Sequence, residues 1–168
     1  MTRLDIQMAI EAEGWPSEAV LLAQSNAVLE TALRYLIERQ EQPFPKTAPE
    51  LSLVFTDDRQ IREINGEWRG MDKPTNVLSF PAFPVLPGGM PGPMLGDIVF
   101  ARETLEREAV DLDKPFDEHL SHLLVHGFLH LFGYDHMNDG EALVMETLET
   151  EILAELGLAD PYAGQEPL

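Results

Sequence analysis

All five histidines of this 168-residue chain fall between positions 119 and 136, and that crowding dictates a local fold. His126 and His130 are four residues apart in an apolar run, so on a helix both rings leave one face a turn apart. Gly133 follows where a left-handed residue ends a helix, and the chain turns back. The reversal lets His136 approach the same point from outside the helix. Two neighbouring imidazoles and a returning third suit one tetrahedral ion with nitrogen bonds of roughly 2.0–2.1 Å. Three protein ligands leave a fourth position open, the pattern of a catalytic rather than a structural site. The chain has no cysteine, so thiolate sites and disulfides are excluded and His, Asp and Glu are the only strong ligands.

The spacing His126-x3-His130-x2-Gly133-x2-His136 is the ligand spacing of the metzincin proteases. Those enzymes need a glutamate after the first histidine as general base, and Gly127 offers no side chain there. The motif thus points to a metal and away from peptide hydrolysis. His119 and His122 lie within about 80° of the ligand pair on the same helix. They either orient the ligands by hydrogen bonds, line the groove beside them, or are partly buried helix-face residues; neither is expected to bind the ion directly.

Around this motif the periodicity predicts β-α-β-α-β-β-α-α-α. Residues 4–12 alternate as a half-buried strand, and Ser17 caps a helix with a stripe at Leu22, Leu29, Leu33 and Leu36. Pro43, Pro45 and Pro49 end it, and Leu51, Leu53 and Phe55 form a second strand. Thr56-Asp57 opens a helix with apolar face Ile61, Ile64 and Trp68, and strands follow at 75–80 and 97–100. Residues 81–94 hold five prolines and three glycines, which predicts a mobile loop, either a plain connector or a lid over a groove. Helices are predicted at about 101–111, 115–132 and 139–156. The expected fold is one α+β domain over 1–168, a small twisted mixed four-stranded sheet covered by about five to six helices, with a flexible tail from 158 to 168.

The net charge is −19 and no Lys or Arg follows Lys114, so the body of the protein repels phosphate backbones. Four of the eleven basic residues nevertheless lie in fifteen positions: Arg59, Arg62, Arg69 and Lys73. A local positive site on an acidic body is one reading, scattered surface charge the other. The N-terminus lacks the layout of a signal peptide and no apolar run suits a bilayer, so a cytoplasmic protein without a membrane partner is expected.

Residues 126–136, HGFLHLFGYDH, resemble the signature of the YbeY family of bacterial endoribonucleases, the rRNA maturation factors. NGEWRGMDKPTNVLSFP (65–81) resembles that family's central block and Leu95-Gly96-Asp97-Ile98 its following strand. The helix with Glu141, Met145, Glu146 and Glu149 is also similar, so the resemblance covers roughly residues 50–157. It implies a zincin-like fold and one zinc ion per chain on His126, His130 and His136. It also implies cleavage of single-stranded RNA, not DNA, in 16S rRNA 3′-end maturation and ribosome quality control, beside small-subunit components. Arg69 falls on the family's functional arginine, so Arg69 and His126 are the catalytic expectations. Asn76 departs from the Asp of many members and removes a negative charge near the expected groove.

Phosphodiester cleavage needs positive charge where the pentacoordinate state gathers negative charge. Arg69 can grip phosphate oxygens with its planar fork, or serve in a surface ion pair. Thr75 and Ser79 on the third strand can donate to an RNA backbone or be ordinary strand residues. Asp135 and Asp97 are candidate bases, Asp135 suiting better the orientation of a histidine. Two other functions fit the motif: a ribosome-assembly factor with a structural metal, and a zincin-type metallopeptidase, against which Gly127 speaks.

Overall fold

The computed structural model describes residues 3–162. Its elements follow the expected order: β1 (Asp5–Ile10), α1 (Glu18–Arg39), β2 (Glu50–Thr56), α2 (Asp58–Arg69), β3 (Val77–Pro81), β4 (Met94–Ala101), α3 (Arg102–Asp111), α4 (Phe116–Leu131) and α5 (Asp139–Glu155). The four strands form one mixed sheet in the order β1-β2-β4-β3. β1, β2 and β4 are parallel, while β3 runs antiparallel to β4 and forms an edge. The fold is therefore α+β with five helices.

Strand pleating divides the core. Leu51, Leu53 and Phe55 on β2, with Ile98 and Phe100 on β4, bury against α1, α4 and α5. Phe55 and Phe100 stack with centroids 5.1 Å apart. Fully burying each such side chain contributes about 1.5–3 kcal/mol. The alternate residues Leu78, Val99 and Ala101 turn to a smaller cluster with Ile61 of α2.

Local chemistry sets the ends. Ser17 accepts from the Val20 N–H at α1, and Asp57 from the Gln60 N–H at α2. Two stripes differ from expectation. Leu21 is fully buried where Leu22 was expected, and Leu22 is 37% exposed. On α2, Ile61 is buried and Ile64 packs against its cluster, but Trp68 is 69% exposed. Helical periodicity places Trp68 on the inner face, yet the sheet ends at β3, and its ring meets Phe80 there at 6.2 Å. β3 starts at Val77 rather than Thr75; the Asn76 side chain accepts from the Val77 N–H at 2.7 Å, and its backbone carbonyl accepts from the Ala101 N–H at 3.0 Å. β4 begins at Met94, earlier than expected, since it pairs with Glu50 of β2.

The segment between β3 and β4 is irregular, but its backbone is tied down. The Gln42 side chain donates to the Gly89 carbonyl at 2.8 Å, and Val85 lies against Gly133. Past α5, Leu158 packs on the core and the Tyr162 hydroxyl donates to Glu149 at 2.7 Å. The rest of the expected tail, 163–168, lies outside the described residues. Among the described residues, no helix is long and apolar enough to cross a membrane.

Candidate metal centre

α4 is buried on most of its circumference, between the sheet and helices α1, α3 and α5. The row His122, His126 and His130 is the less buried face of its middle and C-terminal turns. Close approach to the sheet depends on Gly127. A Cβ there would stand 2.8 Å from Ile98 Cγ2 and 3.0 Å from Ser79 Oγ. The Ser79 hydroxyl donates to the Gly127 carbonyl at 3.0 Å, so it joins strand to helix and is engaged before any RNA arrives. A protease-type glutamate at 127 would have to displace the Ile98 and Ser79 side chains. At Gly133 the chain takes φ +95°, where an added Cβ would collide with the Val85 carbonyl, and the reversal brings His136 back.

The result is a convergence of three imidazoles. His126 Nε2 and His130 Nε2 are 3.2 Å apart. Tetrahedral ligands at roughly 2.0–2.1 Å from an ion stand about 3.3 Å apart, so this pair fits the spacing. One ligand nitrogen from each of His126, His130 and His136 lies within 4.8 Å of the others. An all-imidazole set suits zinc and several other transition metals. Burial, with His126 and His136 nearby, pushes the His130 imidazole down to about 4, which keeps it neutral and ready to bind at pH 7.

Behind the trio lies a residue whose role sequence reasoning missed. Glu149 of α5 is fully buried, and its Oε1 accepts from His126 Nδ1 at 2.9 Å and His122 Nε2 at 3.0 Å. With Nδ1–H given to the carboxylate, His126 presents bare Nε2 to the trio's centre. Burial works to raise the Glu149 carboxyl, but hydrogen bonds and charge from His122 and His126 outweigh it and hold the group at about 2. The available signal was a glutamate set in the apolar stripe Met145, Leu148, Ile152. His122 thus shares the Glu149 carboxylate with His126, the one member of the trio that Glu149 contacts. Burial lowers its own pKa, opposed by Glu149.

His119 does something else: its Nε2 donates to Glu108 of α3 at 2.8 Å. Asn76 donates to the same carboxylate at 3.1 Å, so its amide serves a joint between β3, α3 and α4. An aspartate there would face Glu108 with like charge. Burial raises the Glu108 carboxyl, while His119 and Asn76 bring it down to a net lowering.

The other candidates separate clearly. Asp135 accepts from the backbone N–H of His136 at 2.8 Å, so it fixes the turn rather than a ring. It also lines a groove of about 370 Å³ beside His130, with Ser79, Pro84, Val85 and Leu86 on the other wall. Asp97 pairs with Phe80 across the sheet, one residue out of phase with Ile98 and Ser79, and so faces away from α4. That placement removes it as a base at the trio. Thr75 precedes β3. Arg69 is the exposed last residue of α2, on the opposite sheet face, and no hydrogen bond links it to the trio. Among the described residues, Arg62 pairs with Asp72, while Arg59, Arg69 and Lys73 enter no ion pair.

Comparison with known proteins places the chain in a family. The family model described as Endoribonuclease YbeY matches residues 17–157. This chain belongs to the YbeY endoribonuclease family. An Endoribonuclease YbeY of Agrobacterium fabrum is 70% identical over 168 residues, covering 100% of both chains. One from Rhizobium meliloti is 66% identical over 167 residues, covering 99% of each. The YbeY match thus reaches well before residue 50, where the sequence motifs began to carry the resemblance. A solution structure of a Thermotoga maritima protein shares the fold, with TM-score 0.55 and 24% identity over 90% of this chain and 92% of that one.

Proposed function

We propose that this chain is a zinc-dependent, single-strand-specific endoribonuclease of the cytoplasm. Its substrate in this reading is the 16S rRNA precursor, cut during 3′-end maturation and in ribosome quality control, with small-subunit components as partners. The observation that carries the reading is the approach of three imidazole nitrogens within 4.8 Å at the mouth of an open groove. Relatives at 64–70% identity named as endoribonucleases support the reaction class.

A divalent ion held by His126, His130 and His136 supplies Lewis-acid charge for a phosphodiester. The chain's own residues do the rest. Glu149 fixes the His126 tautomer, Asp135 holds the turn that carries His136, and Gly127 lets α4 lie against β3. Arg69, which enters no ion pair among the described residues, takes non-bridging phosphate oxygens through its planar fork. On a body of net charge −19, such a cation contributes mainly by local contact.

The test incubates purified protein with single-stranded RNA and compares wild type, His126→Ala and Arg69→Ala. Cleavage by wild type, loss with His126→Ala and a large reduction with Arg69→Ala support the reading. Equal cleavage by all three reveals a contaminant and overturns it.

A further inference from the structure

Trp68 holds an unusual place for the largest apolar side chain. Of the two tryptophans, Trp15 is half-buried against Phe55 and Phe116 and donates its indole N–H to the Thr56 carbonyl at 2.9 Å. Among the described residues, Trp68 has only Phe80 as an aromatic neighbour, at 6.2 Å with planes at 57°, and stays 69% exposed. Leaving so much indole in water forgoes burial that position 68, at helical spacing from Ile61, would ordinarily gain.

Its neighbours give the exposure a direction. Phe80 sits on the edge strand between Ser79 and Pro81, and both of these line the groove beside His130. One strand's width therefore separates the indole from the groove. Arg69 adjoins Trp68 in sequence, and Lys73 follows the helix; both are exposed and neither enters an ion pair among the described residues. Among the described residues, Phe83, Leu86 and Met90 on the loop and Met137 beside His136 also expose apolar surface, but none has a Lys or Arg close by in sequence. An exposed indole beside unpaired cations matches the two halves of a nucleotide, a π-face and a phosphate.

We infer that Trp68 is a base-stacking platform for single-stranded RNA: a nucleobase rests on the open indole face while Arg69 takes the adjoining phosphate. The strand then crosses the β3 edge to reach the trio. This rests on the RNA reading above and adds to it a subsite outside the metal centre. Stacking tolerates any base, so the subsite grips without selecting sequence.

The experiment uses full-length protein, stripped of metal so that RNA is bound and not cut. A labelled single-stranded oligoribonucleotide reports binding by anisotropy, and tryptophan emission reports stacking. Wild type, Trp68→Tyr and Trp68→Ala are compared, with melting curves to verify folding. Wild-type emission should be quenched on binding and the emission of Trp68→Tyr, which retains only Trp15, should not. Trp68→Ala should bind about tenfold more weakly, and Trp68→Tyr near wild type, as expected for loss of one stacked base. An oligonucleotide with abasic sites should bind wild type and Trp68→Ala alike. RNA binding with unchanged affinity in Trp68→Ala, or without quenching, overturns the platform and leaves the RNA reading standing. No RNA binding by any form overturns both.

Discussion

Glu149 Oε1 lies 2.9 Å from His126 Nδ1 and 3.0 Å from His122 Nε2, so one buried carboxylate ties two turns of α4 to α5 and orients one imidazole of the trio. Each partner needs the other: without the histidines a fully buried carboxylate is costly, and without the carboxylate the His126 ring is free to turn or change tautomer.

Glu149→Gln keeps the shape but gives up the charge and one strong acceptor. Zinc affinity should fall about 10- to 100-fold, measured by competition with a chromophoric chelator. Glu149→Ala should also lower the melting temperature, since it leaves buried imidazole N–H groups without a partner. Unchanged affinity in both variants would show that the trio holds its ion without support from α5.

Gly127 tests the packing of α4 on the sheet. An added Cβ meets Ile98 Cγ2 at 2.8 Å, so Gly127→Ala overpacks the core and should cost about 1–3 kcal/mol, several degrees in a thermal melt. Gly127→Glu should be worse and should not create peptidase activity, because its side chain has no room beside β4. A stable Gly127→Glu variant that cleaves casein would contradict this.

Acid should weaken the metal-free protein. His130 is held at about 4 against 6.5, so between those values the unfolded chain takes up a proton that the folded chain refuses. Stability therefore falls as pH drops from 6.5 toward 4. Glu149, held at about 2 against 4.5, acts in the same direction: its contribution is complete above 4.5 and is lost as pH falls toward 2. Melting curves on chelator-treated protein at several pH values give the check. Wild type should lose stability through the upper window, and His130→Asn should lose less; a melting temperature that rises on acidification contradicts the assignment.

The histidine motif was legible because it is local: four residues of helix and one glycine turn decide where the rings go. The element order was legible for the same reason, each strand and helix carrying its own period and its own cap. Glu149 was not, since its partners are 23 and 27 residues away and only the packing of α5 on α4 brings them together. Asp97 misled because a lone carboxylate near a motif says nothing about pleat phase, which only the pairing with β3 fixes. Trp68 misled because helical spacing cannot tell where the sheet beneath the helix ends.

Arg69 acts in this account through charge on exposed phosphate, so its removal should be felt as salt dependence. Arg69→Ala should weaken binding to single-stranded RNA and reduce the slope of log affinity against log salt by about 0.7. Titrations at several salt concentrations decide this, and an unaltered slope places Arg69 away from the RNA.

The account stands or falls on whether the trio holds an ion. Elemental analysis of purified wild type, followed by calorimetric zinc titration of the stripped protein and of His136→Ala, tests this directly. The account predicts one transition-metal ion per chain in wild type and severe loss of affinity when the returning imidazole is removed. Wild type that binds no transition metal, or His136→Ala that binds zinc as tightly as wild type, would contradict it.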